Sequence, residues 1–214
     1  MKKTYLTAIL YLLLPIALFA QKDAKAKTCL DKAADSFSKA GALSIRFDMQ
    51  IKSADAHSES FEGTIDVKGR RFHLITPDVE IWFDGKTQWL LQRDFDEVTI
   101  SEPSEIETQA LNPAVILSMY KYNCNYQYLK ANKDSKGRSV HEVAVLPQAK
   151  DSQMSKIVVR IATADNMPVG FDIFFQNKTE NRICITDYQK KTLSDAAFVF
   201  DAKKYPQAEV IDLR

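Results

Sequence analysis

From Ser44 onward the chain alternates apolar and polar residues with a period of two, and this pattern constrains the fold more than any other feature. Ile45, Phe47, Met49 and Ile51 interleave with Arg46, Asp48 and Gln50. Phe61, Gly63, Ile65 and Val67 continue it, followed by Phe72 and Leu74 and by Val79, Ile81 and Phe83. Successive side chains of a strand point to opposite faces, so each run predicts a strand with one apolar and one polar side. Asp84-Gly85 is a hairpin signal, with Trp89 and Leu91 beyond it and Val98 and Ile100 on a further short strand. The pattern returns with Ile157, Val159 and Ile161, then Val169, Phe171, Ile173 and Phe175, then Ile183 and Ile185. Residues 133–137 and 164–168 read as turns. About ten strands of this kind form an antiparallel sheet that is wet on one side.

The apolar side must be covered. Residues 28–40 carry Leu30, Ala33, Ala34, Phe37 and Ala40 at helical spacing, with Gly41 as a stop. Residues 21–27 are polar and are expected to fray. Residues 113–120 make a second helix that starts on Pro113 and is apolar nearly all round, with Val115, Ile116, Leu117, Met119 and Tyr120. Two short helices cannot cover so broad a sheet laid flat. A closed barrel, a sandwich and a partial barrel curled around the helices all meet the demand. The mid-chain apolar helix favours the third, which leaves an apolar cavity with a helix at its mouth.

The N-terminus reads as an export signal. Lys2 and Lys3 precede the apolar run of residues 6–20, which contains Pro15 and closes on Ala20. The expected organisation is a cleaved signal peptide, 1–20, and one domain, 21–214. The mature protein would then be periplasmic, soluble and not lipidated, because Cys29 lies too far from the apolar run and follows polar residues. Loss of Lys2 and Lys3 turns the formal charge from +1 to −1. A nearly neutral chain without a basic block argues against nucleic acid as a partner. Cys29, Cys124 and Cys184 permit one disulfide among three possible pairs, with no CxxC motif.

Enzyme signatures are missing: the sequence has no GxSxG, HExxH, P-loop or GxGxxG motif. His57, His73 and His141 are isolated, and Asp94, Asp96 and Glu97 read as a solvated acidic turn without calcium-loop spacing. The reading is a monomeric binding protein, not an enzyme, that needs no cofactor or metal. Phe47, Phe61, Phe72, Phe83, Trp89, Phe171 and Phe175 share one face if the register holds throughout. With the adaptable Met49 and Met119, that face suits acyl chains, although an ordinary filled β core has the same pattern.

Residues 61–121 carry FEGTIDVKGRRFHLITPD, IWFDGKTQWLL, DEVTI and LNPAVILSMYK. These segments resemble the LolA family, periplasmic carriers of outer-membrane lipoproteins. Residues 205–212 are similar to the family's closing strand. The resemblance implies an unclosed half β-barrel with a helical lid over an apolar cavity. It implies transfer of acylated lipoproteins from an inner-membrane ABC exporter to an outer-membrane receptor, without covalent chemistry by the carrier. A carrier or sensor of another envelope lipid or glycolipid is the alternative. The expected cavity residues are Phe47, Phe72, Phe83, Trp89, Leu91, Leu117 and Met119. The family latches its lid through an arginine directly after a Val-Lys pair. Here that place is Gly69, followed by Arg70 and Arg71, so Arg70 is the latch candidate.

Overall fold

The computed structural model describes residues 23–55, 57–103 and 112–214. The expected signal peptide, 1–20, lies outside the described residues. Helix α1 (Ala24–Ala40) leads into strands β1 (Leu43–Lys52), β2 (Ser58–Lys68), β3 (Arg71–Ile75), β4 (Val79–Phe83), β5 (Gln88–Gln92) and β6 (Glu97–Ser101). A short helix, α2 (Pro113–Met119), separates these from β7 (Cys124–Lys133), β8 (Ser139–Pro147), β9 (Met154–Ala162), β10 (Pro168–Phe175), β11 (Glu180–Lys190) and β12 (Glu209–Asp212).

The strands form one sheet in the order β12-β6-β5-β4-β3-β2-β1-β11-β10-β9-β8-β7, with β12 and β7 left as edges. It is an unclosed barrel, antiparallel except where β12 runs parallel to β6. It has twelve strands where the alternation suggested about ten. The extra ones are those with weak apolar marking. Most of β7 faces solvent, and β12 is four residues long and mostly exposed. Register shifts at Arg46/Phe47 and at Tyr128/Lys130 help the sheet curl.

One face of the sheet holds the main core. Phe47, Phe72, Phe83, Phe171, Ile157 and Ile185 pack there against Leu30, Ala33 and Phe37 of α1 and Ile116 and Leu117 of α2. Helix α1 begins four residues earlier than the periodicity predicts. The Asp23 carboxylate caps it by accepting from the backbone N–H of Lys25 and Ala26, at 2.9 and 3.0 Å. The other Asp23 oxygen accepts from the Tyr128 N–H, which fastens the helix start to β7. These two uses of one side chain explain why residues 24–27, expected to fray, are helical.

The opposite face is not uniformly polar. Trp82, Leu91 and Val98 form a second buried cluster, packed against Trp89, Phe200, Tyr205 and Ala208. Residues 191–208 reach this face as a strap. Phe198 is fully buried, and the Tyr205 hydroxyl donates to Glu80 at 2.9 Å. Glu80 also pairs with His73 at 2.8 Å and accepts from Arg93. Burial pushes the Glu80 carboxyl up, but the hydrogen bonds from His73 and Tyr205 outweigh it and hold the group below its ordinary range.

Phe47 lies opposite Gly63 across the β1–β2 ladder. Its ring covers the glycine so closely that an added Cβ would collide with Cζ. Gly63→Ala is therefore expected to cost about 1–3 kcal/mol through overpacking, read as a lower midpoint in urea with an unchanged m-value.

Candidate functional site

The main cavity of the described residues has a volume of about 840 Å³ and lies at the mouth of the half-barrel. That is within the range of about 300–1,000 Å³ in which proteins hold small molecules. Its wall is built from both helices. Ala34 and Phe37 come from α1, and Ala114, Val115, Leu117 and Met119 from α2. Cys124 and Pro147 close the apolar part, and Lys68, Gly69, Arg70 and Lys121 stand among the lining residues.

The local sequence explains why α2 sits there. Asn112 Oδ1 accepts from the Ala114 N–H at 2.8 Å, and Pro113 occupies the first helical turn. The same Asn112 side chain donates through Nδ2 to the carbonyls of Gly69 and Arg70, at 3.3 and 3.0 Å. Asn112 is fully buried. It therefore ties the start of α2 to the β2–β3 turn. At the far end, the Tyr120 hydroxyl donates to Asp31 of α1. Tyr120 also meets the Tyr126 ring edge-on, with centroids 5.9 Å apart.

A seven-residue helix has almost no stability of its own. Helix α2 is thus held by Ile116 and Leu117 in the core and by a polar clasp at each end. Burial first, and then the Asp31 hydrogen bond, push the Tyr120 phenol up, so it remains a donor. The Asp31 carboxyl is held below its ordinary value, first by the hydrogen bond from Lys27 and then by that from Tyr120.

The residues expected to line one cavity divide into three groups. Leu117 and Met119 do line it. Phe47, Phe72 and Phe83 lie deeper, in the filled core beneath the helices. Trp89 and Leu91 are on the other face, and their expected sharing of a face with Phe83 is corrected by the register. Phe83 pairs with Gln88, and Trp82 pairs with Trp89. A four-residue connection between pairing residues exchanges odd and even positions, so an unbroken odd-numbered run changes face at the turn. Arg70 is at the cavity mouth, and its carbonyl is one of the two acceptors that fix Asn112. The polar ends of α2 escaped sequence reasoning. Asn112 before Pro113 is a readable cap signal, whereas the Tyr120–Asp31 contact spans 89 residues and leaves no local mark.

Asp94 and Asp96 are exposed at a 3₁₀ turn, and no group of three or more His, Cys, Asp or Glu among the described residues could hold a metal ion. Cys29 and Cys184 are thiols, both half-buried. No helix among the described residues is long and apolar enough to cross a membrane.

An unclosed barrel with a cavity under a lightly held helix defines a binding module. The model of the family described as "Outer membrane lipoprotein carrier protein LolA" matches residues 16–172. The chain belongs to this family of carrier proteins. No curated protein matches the sequence. An uncharacterized conserved protein from Thermus thermophilus shares the fold, with a TM-score of 0.54 and 13% identity over 88% of this chain and 99% of its own. A LolA superfamily protein from Nitrosomonas europaea is similar at a TM-score of 0.46, with 10% identity over 82% of this chain and 97% of its own. The LprF protein from Mycobacterium bovis is similar at 0.48, with 11% identity over 81% of this chain and 96% of its own.

The clasps at the ends of α2 are open to test. Asn112→Ala removes the cap of α2 and the side-chain donor that ties it to the Gly69 and Arg70 carbonyls, so α2 is expected to lose about 1–2 kcal/mol of local stability. Hydrogen exchange should speed up in α2 while the β8–β10 amides keep their protection. The Asp31 clasp has a definite pH sign. Lys27, within α1, does most to lower the Asp31 pKa; the smaller share from Tyr120 stabilises the docked lid above the ordinary value of 3.8 and stops doing so as the pH falls through the folded-state value. In Tyr120→Phe, α2 exchange at neutral pH should already be faster than in the parent protein.

Proposed function

We propose that the protein is a periplasmic carrier that takes up the acyl chains of lipoproteins and moves them from the inner to the outer membrane. The observation that carries this reading is the mouth of the half-barrel in a chain of the carrier family. A cavity of about 840 Å³ is walled by α1 and by a helix of only seven residues, which is fixed by side-chain hydrogen bonds at its two ends. Each methylene buried from water contributes about 0.8 kcal/mol, so acyl chains do not cross an aqueous gap unaided. A carrier must also release what it binds. A short lid on two polar clasps opens without loss of the sheet.

The proposal includes an export signal over residues 1–20 that is cleaved to leave a single domain, 21–214. Its partners are an inner-membrane ABC exporter and an outer-membrane receptor, and it does no covalent chemistry. Leu117 and Met119 would touch the chains directly, with Arg70 beside Asn112 at the latch. Phe47, Phe72 and Phe83 would be reached only if the helices shift outward.

A fluorescent fatty-acid probe and a triacylated peptide should each bind the purified protein saturably, and each should displace the other. Met119→Gln should weaken both by about tenfold while the protein stays folded, with a lowered unfolding midpoint because Met119 is buried. A well-folded protein that binds neither ligand would rule the carrier reading out.

A further inference from the structure

Among the described residues the cavity lining is amphipathic, and its charged side chains are all of one sign. Lys68 comes from the end of β2, Arg70 from the β2–β3 turn and Lys121 from the link between α2 and β7. Among the described lining residues there is no Asp or Glu. Ser38, Ser118 and Ser152 add hydroxyls, and Tyr122 stands at the rim with 72% of its surface exposed. The apolar side chains are Phe37, Val115, Leu117 and Met119, on the helices. Apolar bulk on the helices and cations on two flanking connections are the two halves of a site for a molecule with a tail and a negatively charged head.

Two carboxylates of the described residues stand close to these cations. Asp195 of the strap takes Lys68 at 3.3 Å and Arg71 at 2.6 Å, so the Lys68 charge is partly balanced. Asp31 lies within electrostatic reach of Lys121, but its own oxygens are occupied by Lys27 and Tyr120. The nearest aromatic partner of Lys121 is the Tyr120 ring, with Nζ 5.8 Å from the centroid, a distance that leaves the ammonium its hydrogen-bonding capacity.

We infer that the preferred occupant is an anionic amphiphile, an acyl chain whose head carries a carboxylate or phosphate, with Lys121 the principal contact to the head. This rests on the reading of the cavity as an acyl-chain site and narrows it. A lipid with an anionic head satisfies both parts of the site.

The experiment compares cis-parinaric acid with its methyl ester, which has the same chain without the charge. At low salt the acid should bind about tenfold more tightly than the ester. The gap should shrink at high salt, because exposed charges are screened. Lys121→Gln should bring the two affinities to within about twofold by weakening the acid alone, and Lys121→Arg should restore the preference. Dodecyl phosphate should displace the acid, and inorganic phosphate at the same concentration should not. Equal affinities for acid and ester in the parent protein would overturn the inference and leave the carrier reading standing. A salt-independent gap, a gap unchanged in Lys121→Gln, or displacement by inorganic phosphate would overturn it as well. Failure of both probes to bind would remove the carrier reading itself.

Discussion

Everything in this fold depends on α1 filling the hollow of a sheet that does not close on itself. A sheet with one apolar face is stable in water only when that face is covered. Leu30, Ala33 and Phe37 supply the cover over the middle of the sheet. Asp23 fixes the helix register by capping it and by holding the Tyr128 N–H of β7. With α1 in place, the hollow is nearly full. What remains open is the mouth, where α1 ends at Gly41 and the shorter α2 takes over.

The two helices have different physical standing. Seventeen residues with a buried stripe and a good cap make α1 part of the core. Seven residues make α2 dependent on its neighbours. Its apolar side chains serve two masters. Ile116 is buried in the main core, Leu117 belongs to that core and also reaches the cavity, and Ala114, Val115 and Ser118 remain half-buried along the cavity. This division lets one face of the helix hold the sheet while the other offers a surface for a guest.

Much of the architecture was legible in the sequence, because alternation needs no long-range information. The strands containing Phe47, Phe72, Phe83 and Phe171 were readable from period alone, as were the Asp84-Gly85 turn and the apolar helix after Pro113. The period did not choose the unclosed barrel; the mid-chain apolar helix favoured it and the family resemblance implied it. Parity was the weak point. Trp89 and Leu91 belong with Trp82 and Val98 because the connection from Phe83 to Gln88 swaps faces. That part of the outer face is apolar because the strap covers it, and a strap that returns more than a hundred residues later leaves no trace near Trp89. The lower half of β7 and all of β12 carried too few buried side chains to show a pattern. The Tyr120–Asp31 clasp was invisible for the same reason as the strap, since nothing local pairs the two residues.

The gap between β7 and β12 has a mechanical meaning. In a closed barrel, widening the interior means stretching a continuous ring of hydrogen bonds, so the radius is fixed by strand number and stagger. Here no bond joins the two edges. The sheet can uncurl slightly, each strand turning a little against the next, and every ladder stays intact. Interior width is thus a soft coordinate, resisted mainly by the contacts of two helices. A vessel of this kind need not be built to the dimensions of one guest.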